Sequence, residues 1–462
     1  MERLSIYILT FNCARNVVPR EHFATNFFHA LGPSESFIPH VLVVSLQEIA
    51  PIAYAFLGGS LLHPYFHAVH AAVELAVRKR WGNGVKYTNL VTEYCGMTGI
   101  LVFVRTDVAH RVALVSTAAT GLGVHDMGNK AAVAARLAYR VPDTDEDVEL
   151  TFVAAHIAPM EHDFKRRNED WRKIVERLVF VRDVQTEGEE QHGGAAEGEE
   201  EATALLQQPQ QRIESGMFTP RTHLFFAGDL NYRTSDRSPT RDDVARFPQP
   251  VDDVAHSRHH SQLFRHDQLT RERRAGRTLH GLVEAPVAFP PTYKYSEAAQ
   301  AAATRLGGVE EPTAWYWASN RWPSWCDRIL YLDMPPWMKG DGEMIEIHGY
   351  DALPLFPTSD HRAVGLAVSV PLQPIHEAPS SPATTALDRY NDVRWSPPFP
   401  IDPNWRSKRA VARNKEIAVG VSAYLALTWK GNGLVLATGL GIFATWTVLR
   451  WLLGGGAVMG AV

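Results

Sequence analysis

The chain has 462 residues, of which 45% are hydrophobic and 21% charged, a composition typical of globular proteins. Its formal net charge of -5 excludes a global positive field that would recruit nucleic acid. Three widely spaced cysteines, Cys13, Cys95 and Cys326, form neither a zinc-binding pair nor a disulfide framework, so a reducing, cytosol-facing compartment fits best. Residues 1–12 are interpreted as a strand and not as a signal peptide, because no basic region precedes an apolar core.

Short apolar runs alternate with helical patterns along the first 370 residues. Many of these runs are too short and too rich in β-branched or aromatic residues to be helices. The predicted strands are Leu4–Thr10, Val41–Leu46, Ile100–Val104, Ala132–Leu137, Leu150–Ala155, His223–Ala227, Ile329–Leu332 and Val364–Val370. Helices are predicted at Val73–Lys79 and Asp163–Arg182. This alternation predicts an α/β domain built in layers.

Polar residues recur just past the ends of these predicted strands. They are Asn12, Gln47, Glu48, His156, Asp229, Asn231, Asp360 and His361. Loops at one edge of a layered sheet bring such residues together. Asn and Asp also favour turns, which accounts for Asn12 or Asp229 taken alone. Glu48 and His156 are poor turn formers, so the whole set indicates a functional site.

The types of these residues suit the hydrolysis of a phosphate monoester. That reaction needs a metal ion to neutralise oxygen charge, a group that activates water and donors for the phosphoryl oxygens. Magnesium takes oxygen ligands from one or two carboxylates. Glu48, at the end of a hydrophobic strand, is therefore a predicted ligand, and Asn12 can add a neutral oxygen or orient the phosphate.

The remaining polar residues can take the other roles. Asp229 can accept or orient the proton of an attacking water, and Asn231 can donate to the phosphoryl group. His361 is the predicted histidine of the site, and Asp327 can hold its imidazole in one tautomer and stabilise its cation, as the carboxylate does in a hydrolytic triad. His156 can donate to a phosphoryl oxygen.

Three stretches differ from the layered pattern. Residues 186–211 are acidic, rich in Gly and Gln and free of aromatics, which predicts a disordered insertion within a catalytic domain spanning residues 1–370. Residues 371–405 are rich in Pro and Ser and are interpreted as a linker. Residues 406–433 begin with several basic side chains and are expected to form a basic, amphipathic juxtamembrane segment.

Residues 434–453 are apolar except for Arg450. A helix of about 20 residues spans the hydrocarbon core of a bilayer, and Arg450 lies near the end, where its side chain can reach the interface. Basic residues upstream and uncharged residues downstream predict that the large N-terminal part faces the cytosol. We expect a single tail anchor, with the endoplasmic reticulum as its address. A hairpin that also uses Ile417–Trp429 is less favoured, because that run is short for a full span.

Nine motifs occur in order within residues 3–370. They are TFNCARN (Thr10–Asn16), SLQEI (Ser45–Ile49), GNKAAV (Gly128–Val133), AAHIAP (Ala154–Pro159), RRNEDW (Arg166–Trp171), GDLNYR (Gly228–Arg233), PTYKY (Pro291–Tyr295), SWCDRIL (Ser324–Leu330) and SDHRAV (Ser359–Val364). Together they resemble the inositol polyphosphate 5-phosphatase family of the endonuclease/exonuclease/phosphatase superfamily. LQE, GDLN and SDH are common to the superfamily, whereas GDLNYR, PTYK and WCDRIL are specific to the inositide branch.

This resemblance implies a four-layered α/β sandwich and a magnesium-dependent phosphatase. Its main substrate would be PI(4,5)P2, converted to PI(4)P, with PI(3,4,5)P3 as a further candidate. Glu48 would be the main magnesium ligand, with Asn12 close by. The residues that would shape the site are Asn129, Lys130, Tyr232 and Arg233, and those that would hold the neighbouring 4-phosphate are Tyr293, Lys294 and Arg321.

Two alternatives are weighed against this interpretation. A nuclease or sphingomyelinase of the same fold would lack PTYK and WCDRIL, and a nuclease would carry a basic surface. A catalytically inactive membrane scaffold would lack Glu48, Asp229, Asn231 or His361, and all four are present. The expected partners are a phosphoinositide substrate and a membrane. No nucleic acid is expected, and the sequence indicates no protein partner.

Overall fold

The computed structural model describes residues 2–32, 37–184, 211–305, 312–338, 344–376 and 391–454. The predicted acidic insertion at 186–211 lies outside the described residues apart from Gln211, and so do residues 377–390 of the predicted linker.

Two six-stranded sheets form the centre of the molecule. In spatial order the first sheet contains β13 (Glu346–Ala352), β14 (Val364–Pro371), β1 (Arg3–Asn12), β2 (Val41–Gln47), β4 (Thr98–Arg105) and β3 (Tyr87–Cys95). The second contains β11 (Leu282–Val283), β12 (Asp327–Leu332), β10 (Thr222–Asp229), β7 (Asp147–His156), β6 (Ala131–Arg140) and β5 (Val112–Gly121). A separate two-stranded sheet pairs β8 (Phe180–Val184) with β9 (Gln211–Ser215).

Helices lie outside the two sheets. The α-helices are α1 (Arg20–Asn26), α2 (Ile52–Leu57), α3 (His63–Trp81), α4 (Phe164–Arg177), α5 (Arg241–Val244), α6 (His260–Phe264), α7 (Gln268–Arg274), α8 (Glu297–Arg305), α9 (Trp405–Leu427) and α10 (Trp429–Gly454). Short 3₁₀ helices occupy His29–Leu31, Gly59–Leu61, Thr106–Arg111, Val124–Asp126, Glu161–Asp163 and Pro336–Met338.

The core has three apolar layers of side chains. Ile6 and Val43 of the first sheet pack against Phe225 of the second sheet in the central layer. On the outer face of the first sheet, alternate strand residues pack against α1 and α3, as Leu42 does with Phe23 and Val73. Trp171 of α4 and Leu269 of α7 cover the outer face of the second sheet. Successive residues of a strand point to opposite faces of its sheet, so each sheet packs against the other sheet on one face and against helices on the other. The order of the layers is helix, sheet, sheet, helix. The predicted four-layered sandwich is confirmed.

All eight predicted strands are present, each within three residues of its predicted bounds. The helix predicted at Asp163–Arg182 ends at Arg177, and Phe180 begins β8. Leu178 leaves the helical region with ψ 83°, and the Phe180 ring is covered by the Arg136 guanidinium at 4.0 Å from its centroid. Tertiary packing therefore overrides the helical pattern at this end.

The C-terminal part differs from the expected linker and juxtamembrane segment. Arg394 is 2% exposed and donates to the carbonyl oxygens of Thr222 at 3.2 Å and Asp333 at 2.6 Å. Helix α9 packs along α2, whereas the following helix, Trp429–Leu453, is long and apolar enough to cross a membrane and is not buried against the rest of the protein. Residues 391–427 thus lie against the α/β domain, because buried polar bonds hold both parts of this stretch.

Candidate active site

The site forms where parallel strands of the two sheets end side by side. Strands β1 and β2 are parallel and bring Asn12 opposite Gln47, the residue before Glu48. Strands β7 and β10 are also parallel and bring His156 opposite Asp229. The Asn12 side chain joins the sheets by donating from Nδ2 to Asp229 Oδ2 at 2.9 Å. One edge of the sandwich therefore gathers the residues predicted to act together.

Asp229 is the central charge of this edge. It is 1% exposed, and its Oδ2 lies 3.2 Å from His156 Nε2 and 3.9 Å from His361 Nε2. Burial opposes ionisation, but His156, His361 and Lys130 outweigh it and hold the pKa of this carboxyl well below its usual range. Asp229 is therefore an ionised acceptor at neutral pH.

Asp327 and His361 form the pair predicted from the sequence. His361 Nδ1 lies 2.8 Å from Asp327 Oδ2, which also accepts from Thr292 Oγ1 at 2.7 Å. Burial disfavours the imidazolium, but Asp327 and Asp229 raise the pKa of His361 to about 9. Burial raises the pKa of Asp327 to about 6. At neutral pH the pair is an ionised carboxylate holding a charged imidazole.

Two hydroxyl residues that hold these groups were missed by the sequence analysis. Thr292 is fully buried, and its hydroxyl orients Asp327 by donating to Oδ2. Ser359 Oγ donates to the carbonyl oxygen of Asn12 at 2.6 Å and accepts from the backbone N–H of His361 at 3.1 Å. Both lie inside the PTYK and SDH motifs, so their signal was present, but a lone hydroxyl does not predict which group it will hold.

Lys130 connects the buried charges to the surface. Its Nζ contacts both ring nitrogens of His156 and lies 3.9 Å from Glu48 Oε1. Burial lowers the pKa of Lys130, and burial together with Lys130 lowers that of His156. Glu48 is less buried and also lies 3.4 Å from Arg15 Nε through Oε2. The Asn129 side chain packs against Gly123. A side chain at position 123 would collide with it, because an added Cβ atom would lie 2.0 Å from Asn129 Oδ1.

Asn231 is held from beneath by Arg233. Asn231 adopts φ 54°, and its Nδ2 donates to the Ile157 carbonyl at 3.0 Å. Arg233 Nε donates to the Asn231 carbonyl at 3.0 Å, and its guanidinium lies 4.4 Å from the centroid of the Tyr293 ring. The Tyr293 ring in turn lies 4.4 Å from the His361 ring. Arg233, at 1% exposure, supports the site from within.

The other predicted substrate residues separate into two groups. Tyr232 is fully buried in the core beneath α4, and its hydroxyl bonds to Asn168 and Thr278, so it is not brought to the site. Lys294 and Arg321 are partly exposed. Lys294 Nζ lies 3.2 Å from Asp360 Oδ2, and Arg321 Nη1 lies 3.3 Å from Glu161 Oε2.

Two sets of side chains are candidates for a metal ion. Asp229, Asp327 and His361 have ligand atoms within 4.8 Å of one another. In this set, however, His361 Nδ1 and Asp327 Oδ2 are already bonded to each other. Glu48 and Asp229 instead offer carboxylate oxygens, the donors preferred by hard divalent cations. Asn12 Oδ1 accepts from Ala14 N at 3.0 Å. The donor chemistry therefore fits a hard cation at Glu48.

Comparison with known proteins defines the class to which this fold and site belong. The sequence matches Endonuclease/Exonuclease/phosphatase family 2 over residues 9–367, and the chain belongs to that family. It is 30% identical to the type II inositol polyphosphate 5-phosphatase 15 of Arabidopsis thaliana, covering 60% of this chain and 24% of that one. It is 25% identical to the type II inositol 1,4,5-trisphosphate 5-phosphatase of Mus musculus, covering 73% and 27%. The chain thus spans about a quarter of the length of these relatives.

A solved structure shares the fold. The inositol polyphosphate 5-phosphatase domain of SPsynaptojanin, in complex with inositol (1,4)-bisphosphate and a calcium ion, superposes with a TM-score of 0.54 at 22% identity, covering 80% of this chain and 84% of that one. These relatives confirm the family resemblance found in the sequence motifs.

Proposed function

We propose that the chain hydrolyses the 5-phosphate of phosphoinositides in a Mg²⁺-dependent reaction. The main reaction converts PI(4,5)P2 to PI(4)P and phosphate, and PI(3,4,5)P3 is a second substrate. The observation that carries this proposal is the unbroken set of contacts from Asp327 through His361, Asp229 and His156 to Lys130. Along it the carboxylates Asp327 and Asp229 flank the His361 cation, and His156 joins Asp229 to Lys130, so the site holds both the acceptors and the cations that hydrolysis of a charged monoester requires.

Each group has a charge that suits its proposed role. Asp229, ionised and buried, orients a water molecule and accepts its proton. His361, a cation held by Asp327, stabilises the negative charge that develops on the phosphoryl oxygens. Asn231 and His156 donate to the same group. Glu48 would hold Mg²⁺, with Asn12 beside it, and the ion would neutralise phosphate oxygen charge as a Lewis acid.

The proposed substrate class rests on the outer part of the site. Lys294 and Arg321 are cations on neighbouring backbone segments, since Tyr293 pairs with Ser324 and the Ala318 N–H donates to the Lys294 carbonyl at 2.9 Å. Two cations beside the catalytic edge suit a substrate with a second phosphate next to the scissile one. Tyr293, between Arg233 and His361, sets the position of Lys294.

The proposed location is a membrane surface. Helix α10 follows α9 with Thr428 alone between them, and its large side chains, among them Trp429, Leu436, Phe443 and Trp451, are exposed. An exposed apolar helix of this length is stable when surrounded by lipid. A single anchor with the α/β domain in the cytosol brings the site to a lipid substrate. The endoplasmic reticulum as its address stays a prediction.

The test is phosphate release by the full chain reconstituted in liposomes with Mg²⁺. Separate preparations would contain PI(4,5)P2, PI(3,4,5)P3 or PI(4)P, and each would be repeated with the Asp229→Asn variant and with a chelator. We expect release from the first two lipids, with PI(4)P as the product of PI(4,5)P2, and none from PI(4)P. Folded wild-type protein that releases no phosphate from either 5-phosphorylated lipid would refute the proposal. Cleavage of sphingomyelin or abasic DNA instead would favour the alternative chemistries.

A further inference from the structure

Helix α9 is docked on the α/β domain through a face of unusual composition. Its buried residues, Ala412, Glu416 and Gly420, recur every four positions, so they form one stripe along the helix. A Cβ atom at Gly420 would lie 3.0 Å from Phe56 Cβ and 3.2 Å from Leu57 Cγ. The close approach of α9 to α2 therefore leaves little room for a side chain at position 420.

The C-terminal end of α2 is bonded directly to α9. Arg413 Nη1 donates to the Phe56 carbonyl at 2.6 Å, and its Nη2 lies 3.4 Å from the Leu57 carbonyl. These carbonyl groups lack partners within their own helix, and a cation is favourable at a helix C-terminus. Tyr424 adds a ring contact with Tyr54, with centroids 6.2 Å apart. Helix α9 is thus held on α2 by directed hydrogen bonds and a ring contact as well as by close packing.

Glu416 is the buried charge of this interface. It is fully buried, and its Oε1 accepts from Arg409 Nη1 at 2.8 Å while its Oε2 accepts from Arg413 Nη1 at 3.2 Å. Oε1 also accepts from the backbone N–H of Gly128 at 2.9 Å. A buried carboxylate is costly unless it is paired and hydrogen-bonded, and here two cations and a backbone donor satisfy it.

Gly128 begins the loop that carries Asn129 and Lys130 into the site. On its other side Gly128 is pressed against Gly96, since an added Cβ at Gly128 would lie 2.8 Å from Gly96 Cα. Its carbonyl accepts from Met97 N at 2.8 Å. The loop is therefore clamped between Gly96 and Glu416, two residues before the lysine that contacts His156.

We propose that Glu416 is a positioning residue: by holding the Gly128 N–H, it fixes Lys130 against His156, so that full turnover requires α9 to be docked. This inference rests on the phosphatase activity proposed above. Helix α9 leads directly into the exposed apolar helix α10. The segment that joins the proposed membrane anchor to the α/β domain is thus also part of the support of the site.

The test compares four variants of the full chain on a soluble substrate, inositol 1,4,5-trisphosphate, with Mg²⁺. A soluble substrate removes any effect of orientation at a membrane. We expect Glu416→Leu to lower kcat/KM about tenfold and Glu416→Gln to restore most of it, because an amide oxygen still accepts from Gly128. Gly420→Leu should reproduce the loss by displacing α9. Lys415→Gln, on the exposed face next to Glu416, should match the wild type.

Amide hydrogen exchange of the peptide containing Gly128 gives a readout that does not depend on activity. We expect faster exchange in Glu416→Leu and Gly420→Leu, and near wild-type exchange in Glu416→Gln. Wild-type kcat/KM in folded Glu416→Leu, or an equal loss in Leu and Gln variants with unchanged exchange, would overturn the inference. If Glu416→Leu does not fold, Gly420→Leu and Glu416→Gln still decide between these outcomes. A wild-type chain that cleaves no substrate would instead refute the proposed function, and the exchange data would still test the clamp.

Discussion

The inner and outer parts of the site hold their charges in different ways. The inner cluster, defined as His156, Asp229, Asp327 and His361, has side chains that are 0–5% exposed. The outer cations, Lys294 and Arg321, are 31% and 22% exposed. Each outer cation is paired with one acid, whereas Asp229 in the inner cluster lies near two imidazoles.

This difference sets how strongly each part depends on its neighbours. In a low-dielectric interior, charges interact strongly and shift one another's pKa values, as the raised pKa of His361 shows. Partly exposed ion pairs are screened by water and salt, and they exchange partners at little cost. The inner cluster is thus fixed before substrate arrives, while the outer cations can release their acids and turn to a phosphate.

The largest expected effect comes from removing the central charge of the inner cluster. Asp229→Asn keeps the size of the side chain but cannot accept a proton from water, so we expect kcat to fall about 10³- to 10⁴-fold. Phosphate release under saturating substrate would measure it. Asp107→Asn is the control, because Asp107 pairs with Arg105 at the opposite end of the strands from Glu48. A loss of less than tenfold in Asp229→Asn would show that the inner cluster does not carry the reaction.

The second effect concerns the Asp327–His361 pair and is a shift in pH dependence. The pKa of His361 is raised to about 9, so the imidazolium is present below that pH and is lost as pH rises through it. Asp327→Asn removes the main favourable interaction, and the alkaline fall in kcat/KM should move towards about pH 6.5. At pH 8 we expect a loss of about thirtyfold. A profile of kcat/KM from pH 6 to 10 that falls at the same pH in both proteins would contradict this assignment.

The part of the site at the ends of β1, β7 and β10 could be predicted from the sequence, whereas Asp327 begins β12 and His361 precedes β14. Asn12, His156 and Asp229 are the last residues of β1, β7 and β10, and apolar runs followed by a polar residue are visible without a structure. Tyr232 shows the limit of the motif: it stands between Asn231 and Arg233, yet its side chain points into the core. Position in a motif does not tell which way a loop residue faces.

Other features could not be predicted, for physical reasons that differ. Strand β5 begins with the apolar residues Val112–Val115, but Ser116 and Thr117 interrupt this run, and exposed residues alternate with half-buried ones over its first six positions. The docking face of α9, with Ala412, Glu416 and Gly420, has no apolar stripe, because small residues and a satisfied charge replace it. Contacts made by backbone groups, such as the Gly128 N–H, leave no trace in residue type.

A smaller effect is expected at the outer cations, and it should depend on the substrate. Lys294→Gln removes a charge that can bind the 4-phosphate, so KM for PI(4,5)P2 should rise about tenfold, or about 1.4 kcal/mol. KM for PI(5)P, which lacks the 4-phosphate, should not change. Initial rates on the two lipids in mixed micelles would measure this split. An equal loss on both lipids would place Lys294 in the inner chemistry and remove the distinction between the two parts.

The smallest effect is expected at Arg321, because Glu161 already neutralises it. The Glu161 side chain is 2% exposed and lies 3.3 Å from the guanidinium, so Arg321 must share its charge between that acid and a phosphate. Arg321→Gln should raise KM for PI(4,5)P2 only about threefold. Glu161→Gln should instead lower KM for PI(4,5)P2, because it frees the Arg321 guanidinium while keeping the shape of the buried side chain. If both variants raise KM by the same factor, the ion pair acts as a unit that shapes the loop, and Lys294 alone selects the 4-phosphate.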